Sequence, residues 1–145
     1  MEVTIKDLIK LWGQPNYQDK LELSDPIGSI STDTRTIKKG DFFVPLIGEK
    51  FDGHDFLEKA LDIGVQAAVV SKKYNGRIPF NLPHWVVLDT LQSYQQIALL
   101  HRRQLNLPVV AVTGSVGKTT TRELIRSTLS PLGHIVSSIE NENND

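Results

Sequence analysis

The stretch that most constrains this chain lies near its carboxyl end: Val109-Val110-Ala111-Val112-Thr113-Gly114-Ser115-Val116-Gly117-Lys118-Thr119-Thr120-Thr121. The apolar run from Pro108 to Val112 reads as a buried strand, and Lys118 to about Leu129 reads as a helix. Between them stands Gly114-x-x-Gly117-Lys118-Thr119. Strand, glycine loop and helix in that order suit phosphate binding. Glycines let the backbone close around phosphate oxygens. Successive amides at the helix start supply partial positive charge. Lys118 would neutralise β- and γ-phosphates, and Thr119 would place its hydroxyl on Mg²⁺. The candidate phosphate-binding residues are Gly114, Ser115, Val116, Gly117, Lys118, Thr119 and Thr120. Lys118 is also the candidate catalytic residue, and Thr119 the candidate metal ligand. The spacing departs from G-x-x-x-x-G-K-[ST], because Val112 stands where the first glycine belongs. The plainer reading is a glycine-rich turn with a surface lysine. The strand before it and the helix after it favour phosphate.

The rest of the chain alternates strands with helices. Ile5, Leu8, Ile9 and Trp12 fall at helical spacing, ended near Gly13-Gln14-Pro15. Trp12 reads as core rather than as a stacking platform. Ile27 to Arg35 reads as a strand running into a polar turn. Asp41 to Leu46 reads as another, with Pro45 suggesting an edge or a strand end. A helix carrying Phe56, Leu57, Ala60 and Leu61 closes at Gly64, and Gln66 to Ser71 is a short buried strand. Asn75 to Pro83 is a loop, Trp85 to Leu88 a strand, and Thr90 to Leu105 a helix with Leu91, Tyr94, Ala98 and Leu105 on one face. Ile135 to Ser138 suggests one more strand.

The class is therefore α/β. A domain boundary is expected near Leu105 to Pro108, giving domains 1–106 and 107–145. The first is long enough to bury one modest core. The second holds a single strand–loop–helix–strand, and parallel sheets are normally covered on both faces. It is thus expected to be an incomplete domain. Lys and Arg total 16 and Asp and Glu 17, a net charge of −1, which gives no electrostatic case for nucleic acid or an anionic membrane. With no cysteine there is neither a disulfide framework nor a thiolate metal site. The first residues carry charge without an apolar core, unlike a secretory signal, and no apolar run is long enough to span a bilayer. A cytoplasmic monomer is the expectation.

Thr113-Gly-x-x-Gly117-Lys118-Thr119 resembles the ATP loop of the Mur ligase and folylpolyglutamate synthetase superfamily. Ser31-Thr32-Asp33-Thr34-Arg35, followed by Lys39-Gly40-Asp41-Phe42-Phe43-Val44, resembles the "DSR…pGdlFvA" signature of the later-stage Mur ligases. Gly48-Glu49-Lys50-Phe51-Asp52-Gly53-His54-Asp55-Phe56 resembles their "G…DGHdF" segment. The motifs keep the family's order and spacing across the whole chain. The tail Asn141-Glu142-Asn143-Asn144-Asp145 resembles the family's "N-x-NNE", with Asp145 where Glu is usual.

The resemblance implies a small mixed-sheet amino-terminal Mur ligase domain, followed by the first strand, P-loop and helix of an incomplete P-loop ATPase-type central domain. It implies ATP and Mg²⁺ as cofactors, and UDP-N-acetylmuramoyl-peptide as a substrate. Two members of the family share this layout: one adds the third amino acid, the other D-alanyl-D-alanine. Thr113-Gly114-Ser115, in place of Thr-Gly-Thr-Asn, favours the second. The family reaction phosphorylates a terminal carboxylate to an acyl phosphate, which an amine then attacks. Such phosphoryl transfer is chiefly positioning and charge neutralisation. The family's metal-binding glutamate, carbamylated lysine and carboxyl-terminal domain correspond to sequence after Asp145. The 145 residues are therefore expected to lack ligase activity. A stand-alone module that holds a UDP-sugar or a partner protein is the competing reading.

By match, Ser31, Asp33, Arg35, Lys50, Asp52, Gly53 and His54 would lie at the uridine-nucleotide site. Arg35 can fork onto a diphosphate or orient Asp33. Each also has a plain structural reading. Asp33 and Arg35 can pair within a turn, Asp52 can cap a helix with Asp55 three residues on, and His54 can be a structural histidine.

Overall fold

A computed structural model describes residues 2–17 and 21–138. The chain divides into two compact units, Met1–Asn106 and Leu107–Asp145.

In the first unit, helix α1 (Ile5–Trp12) buries Ile5 and Leu8. The Thr4 amide and hydroxyl both donate to the Asp7 carboxylate, which fixes the helix start. Trp12 packs partly buried against the core, and its indole N–H donates to Gln96 at 2.7 Å. Four strands follow: β1 (Ile30–Ser31), β2 (Phe42–Phe43), β3 (Ala67–Ser71) and β4 (His84–Val87). They form one sheet in chain order, and every strand pairing is parallel. The mixed character lies in isolated antiparallel bridges, such as Asn16 to His84 on the outer side of β4. The first two strands are shorter than their sequence patterns suggest. Pro45 stands just past the end of β2, which is an interior strand, because proline cannot donate to a ladder.

A 3-10 turn (Gly53–Phe56) leads into α2 (Leu57–Ile63), and β4 leads into α3 (Thr90–Gln104). Alternation along the strands divides the core in two. Phe42, Val44, Ala67, Val69, Trp85 and Val87 pack with Ile5, Leu8 and Ile97. Phe43, Ala68 and Val70 pack with Leu57, Ala60 and Leu82. The sheet is thus covered on both faces, by α1 and α3 on one and by α2 on the other, as a parallel sheet requires.

The α3 face differs from expectation. Leu91 and Tyr94 are exposed, while Thr90, Ser93 and Ile97 are buried. Burying a serine here is inexpensive, because the Ser93 hydroxyl donates to the Asp89 carbonyl at 2.8 Å. The Asp89 carboxylate also caps the helix by accepting from the Gln92 amide.

In the second unit, helix α4 (Lys118–Leu129) forms where the sequence places it. The expected strand over Pro108 to Val112 does not form, and Val109 and Val110 are 65% and 62% exposed. Ile135 to Ser138 is likewise without strand structure. A strand exists only by pairing, and the described residues of this unit offer no ladder partner. The Asn141 to Asp145 motif lies outside the described residues. Among the described residues, no helix is long and apolar enough to cross a membrane.

Candidate functional site

All four strands of a parallel sheet end at one edge, where open α/β folds place ligands. At that edge of the first unit, β1 runs into Asp33 and Arg35, β2 into the segment reaching Asp52, β3 into Lys72 and Lys73, and β4 into Asp89. The polar residues that the unit buries gather there too. Ser31, Thr34, His54, Ser71, Thr90 and Ser93 belong to this edge, whereas His84 opens β4 at the opposite one.

The Ser31 hydroxyl donates to the Asp33 carbonyl at 3.1 Å and holds the chain as it leaves β1. Asp33 and Arg35 form the internal pair. The Arg35 guanidinium donates from Nε at 2.9 Å and from Nη2 at 2.6 Å to the Asp33 carboxylate, and its amide donates as well. Arg35 therefore orients Asp33 in this state rather than reaching outward. These donors hold the Asp33 carboxyl down at about 2. A carboxyl lowered on folding contributes stability above its unfolded value near ~3.9, and loses that contribution as pH falls through its folded value. Arg35→Ala should move the Asp33 midpoint upward, toward the ordinary carboxylate range. Carbon NMR of the Asp33 carboxyl between about pH 5 and 1.5 checks this. An unmoved midpoint would mean that the pair does not persist in solution.

Asp52 and His54 form a second local unit. The Asp52 carboxylate accepts from the His54 amide at 2.9 Å and lies 2.5 Å from His54 Nδ1. On the far side of the ring, the Ser71 amide donates to Nε2 at 2.9 Å. An N–H donor requires a lone pair, so Nε2 is unprotonated and Nδ1–H donates to Asp52. The ring is 1% exposed and stacks on Tyr74 at 4.9 Å. Burial pushes the Asp52 carboxyl up, but the donors of His54 outweigh it and leave the group below its ordinary value.

His54 thus cannot touch a ligand as it stands, since both ring nitrogens are engaged inside the protein. It positions the segment. Gly53 is also structural: a Cβ there would meet Leu46 O at 2.8 Å and Leu46 N at 2.9 Å. Asp52 caps the 3-10 turn while remaining partly exposed, and Lys50 is exposed. The sequence reading missed Ser71 and Tyr74. The available signal was the serine that ends an otherwise apolar strand.

In the second unit, Gly114 and Gly117 sit at φ +142° and +81°, in the region that glycine alone enters freely. No side chain caps α4, and its first backbone bond runs from the Thr121 amide to the Gly117 carbonyl. The amides of Lys118, Thr119 and Thr120 precede that bond and stay open to an anion. Lys118 folds back across the loop, its ammonium donating to the Gly114 carbonyl at 2.5 Å. Ser115, Val116, Thr119 and Thr120 are all exposed around it.

Residues 26–121 match the Mur ligase family, catalytic domain. The chain belongs to the Mur ligase family. It is 44% identical over 119 residues to the UDP-N-acetylmuramoyl-tripeptide--D-alanyl-D-alanine ligase of Synechocystis sp., covering 82% of this chain and 26% of that protein. It is 35% identical over 145 residues to the ligase of the same name from Bacillus subtilis, covering 97% of this chain and 30% of that one. Among solved structures, MurF from Acinetobacter baumannii superposes with a TM-score of 0.74 at 33% identity, over 91% of this chain and 28% of that one. The MurF ligase of Thermotoga maritima in complex with ADP gives a TM-score of 0.69 at 29% identity, over 81% and 26%. The chain spans only 26% to 30% of the length of these two curated relatives. As a Mur ligase family chain it carries the loop from Gly114 to Thr119 and the sheet edge described above.

Proposed function

We propose that this chain is the amino-terminal part of an ATP-dependent ligase that joins D-alanyl-D-alanine to UDP-N-acetylmuramoyl-tripeptide. In this reading the first unit binds the uridine nucleotide and the second binds ATP with Mg²⁺. The observation that carries it is the glycine loop opening onto an uncapped α4, in a chain 44% identical to a ligase of that activity.

The loop residues fit a triphosphate. Left-handed glycines keep the backbone low, the first-turn amides point at the anion, and the Lys118 ammonium already rests over the loop on Gly114. Exchanging that carbonyl for a phosphate oxygen brings the lysine to the β- and γ-phosphates, where charge builds during transfer. The Thr119 hydroxyl would hold Mg²⁺, which neutralises charge on the transferring phosphoryl group when bound. Ser31, Asp33, Arg35, Lys50 and Asp52 surround the proposed uridine nucleotide site, with Gly53 and His54 fixing its shape. The 145 residues by themselves bind nucleotides without turning them over.

Calorimetric titration with ATP and Mg²⁺ tests the loop. Lys118→Ala should weaken binding by about tenfold or more, since a charge-assisted bond to phosphate is lost. Equal affinity in the two proteins would remove the loop from the reading. Phosphate release in the presence of ATP, the UDP-tripeptide and D-alanyl-D-alanine should stay at background.

A further inference from the structure

The end of β3 carries two cations that the family motifs do not include. The Ser71-Lys72-Lys73-Tyr74 turn is fixed at every step. The Ser71 amide donates to His54 Nε2, the Lys72 amide to the Val87 carbonyl at 2.7 Å, the Lys73 amide to Ser71 Oγ at 3.2 Å, and the Tyr74 amide to the Ser71 carbonyl at 3.0 Å. Both lysine side chains leave this turn exposed, and among the described residues neither has an ion-pair partner. Three carboxylates at the same edge are engaged elsewhere, Asp33 by Arg35, Asp52 by His54 and Asp89 by the Gln92 amide, while Asp55 and Glu58 stand near Tyr74 without pairing to either lysine. A rigid turn thus presents two unneutralised ammonium groups at the edge where the buried polar residues gather.

We infer that Lys72 and Lys73 bind the phosphates of the ligand held at this edge, a nucleoside diphosphate. β1 and β3 are two strand spacings apart, about 10 Å, and Lys72 lies four residues past Ala68, the β3 residue level with Ser31, which adds about 13 Å along the strand. A base placed beside Ser31 brings its phosphates to the β3 turn because an extended nucleoside diphosphate and a lysine side chain together span that diagonal. With Arg35 paired to Asp33 and Lys59 lying toward Asp33, the phosphates fall to Lys50, Lys72 and Lys73 in this inference. The His54 tie gains a purpose in this arrangement, because it couples the loop that carries Lys50 and Asp52 to the turn that carries Lys72 and Lys73. The inference rests on the uridine-nucleotide reading of the first unit and names its phosphate contacts.

Titrating UDP and uridine separately into the 145-residue chain, followed by amide chemical shifts, tests it. Lys72→Gln with Lys73→Gln should weaken UDP binding about tenfold and flatten its salt dependence, while uridine binding is unchanged. Lys72→Arg with Lys73→Arg should restore most of the UDP affinity. UDP affinity within about twofold of the parent chain in the double Gln variant would overturn the inference and leave the nucleotide reading standing. Equal loss of uridine and UDP would overturn it as well, because the lysines would then be holding the fold. A parent chain that binds neither compound would remove the nucleotide reading and this inference together.

Discussion

Trp85→Ala should remove about 3–5 kcal/mol from the stability of the first unit. Trp85 is 1% exposed and belongs to the core on the face that α1 and α3 cover. Its ring lies 6.0 Å from Trp12 and 5.9 Å from Phe42, and its indole N–H donates to the Gly13 carbonyl at 2.8 Å. Truncation opens a large cavity, breaks both aromatic contacts and strips the Gly13 carbonyl of its donor. That carbonyl closes α1, so the helix loses its seat on β4 together with the packing beneath it. A domain of this size has only about 5–15 kcal/mol in total, and the loss is a large part of that. Urea denaturation followed by circular dichroism gives the difference directly. Leu88→Ala, at a side chain 74% exposed, is the control and should change stability by no more than about 0.5 kcal/mol. A Trp85→Ala loss below about 1.5 kcal/mol would mean that the site relaxes, or that α1 is not held through this residue.

The same contacts show what periodicity can and cannot reveal. Helix α1 was legible from Ile5, Leu8, Ile9 and Trp12, because a helix of one-sided hydrophobicity needs only local spacing to declare itself. β3 was legible as an unbroken apolar run, because it is buried on both faces. The α3 stripe was misleading for a related reason. Hydrophobicity points to Leu91 and Tyr94, but the buried face is chosen by Ser93 and Thr90, whose small side chains fit near the sheet. Nothing in a hydropathy pattern shows that Asp89 satisfies the Ser93 hydroxyl. The strand over Pro108 to Val112 fails for the opposite reason. Its sequence has the right character, yet pairing is a property of two segments, and this one has no partner among the described residues.

The candidate site divides along the same line. Motif spacing brought out the Gly114 to Thr119 loop and the Asp33 and Asp52 segments, because close backbone approach and short-range capping are written in consecutive residues. It could not distinguish a ligand contact from a support. Gly53 is a glycine because Leu46 passes within 2.8 Å of where a Cβ would sit. His54 meets Ser71 across 17 residues of sequence. Contacts of that range leave no local trace, so the structural roles of Gly53 and His54 become visible only once the packing around them is known.

His54→Leu should therefore damage the site without removing any group that faces solvent. The substitution keeps apolar volume, but leaves the buried Ser71 amide with no acceptor and Asp52 without its ring donor. An unsatisfied buried amide and a disrupted charged hydrogen bond together cost about 2–4 kcal/mol. The damage should be local, with faster amide exchange at Ser71, Lys72 and Lys73 than at the middle of β3. Two polar variants separate the halves of the tie. His54→Gln places an acceptor near the position of Nε2 and should recover much of the Ser71 protection. His54→Asn places its amide near the position of Nδ1 and should recover the contact to Asp52 but not that protection. In His54→Gln, the Asp52 carboxyl loses the ring donor and should titrate higher than in the parent chain, because burial then pushes it up against one donor fewer. Equal protection of Ser71 in the Gln and Asn variants would show that the imidazole fills space rather than joining the two segments. Unequal protection would make His54 the residue through which the loop after β2 and the turn after β3 hold a common geometry.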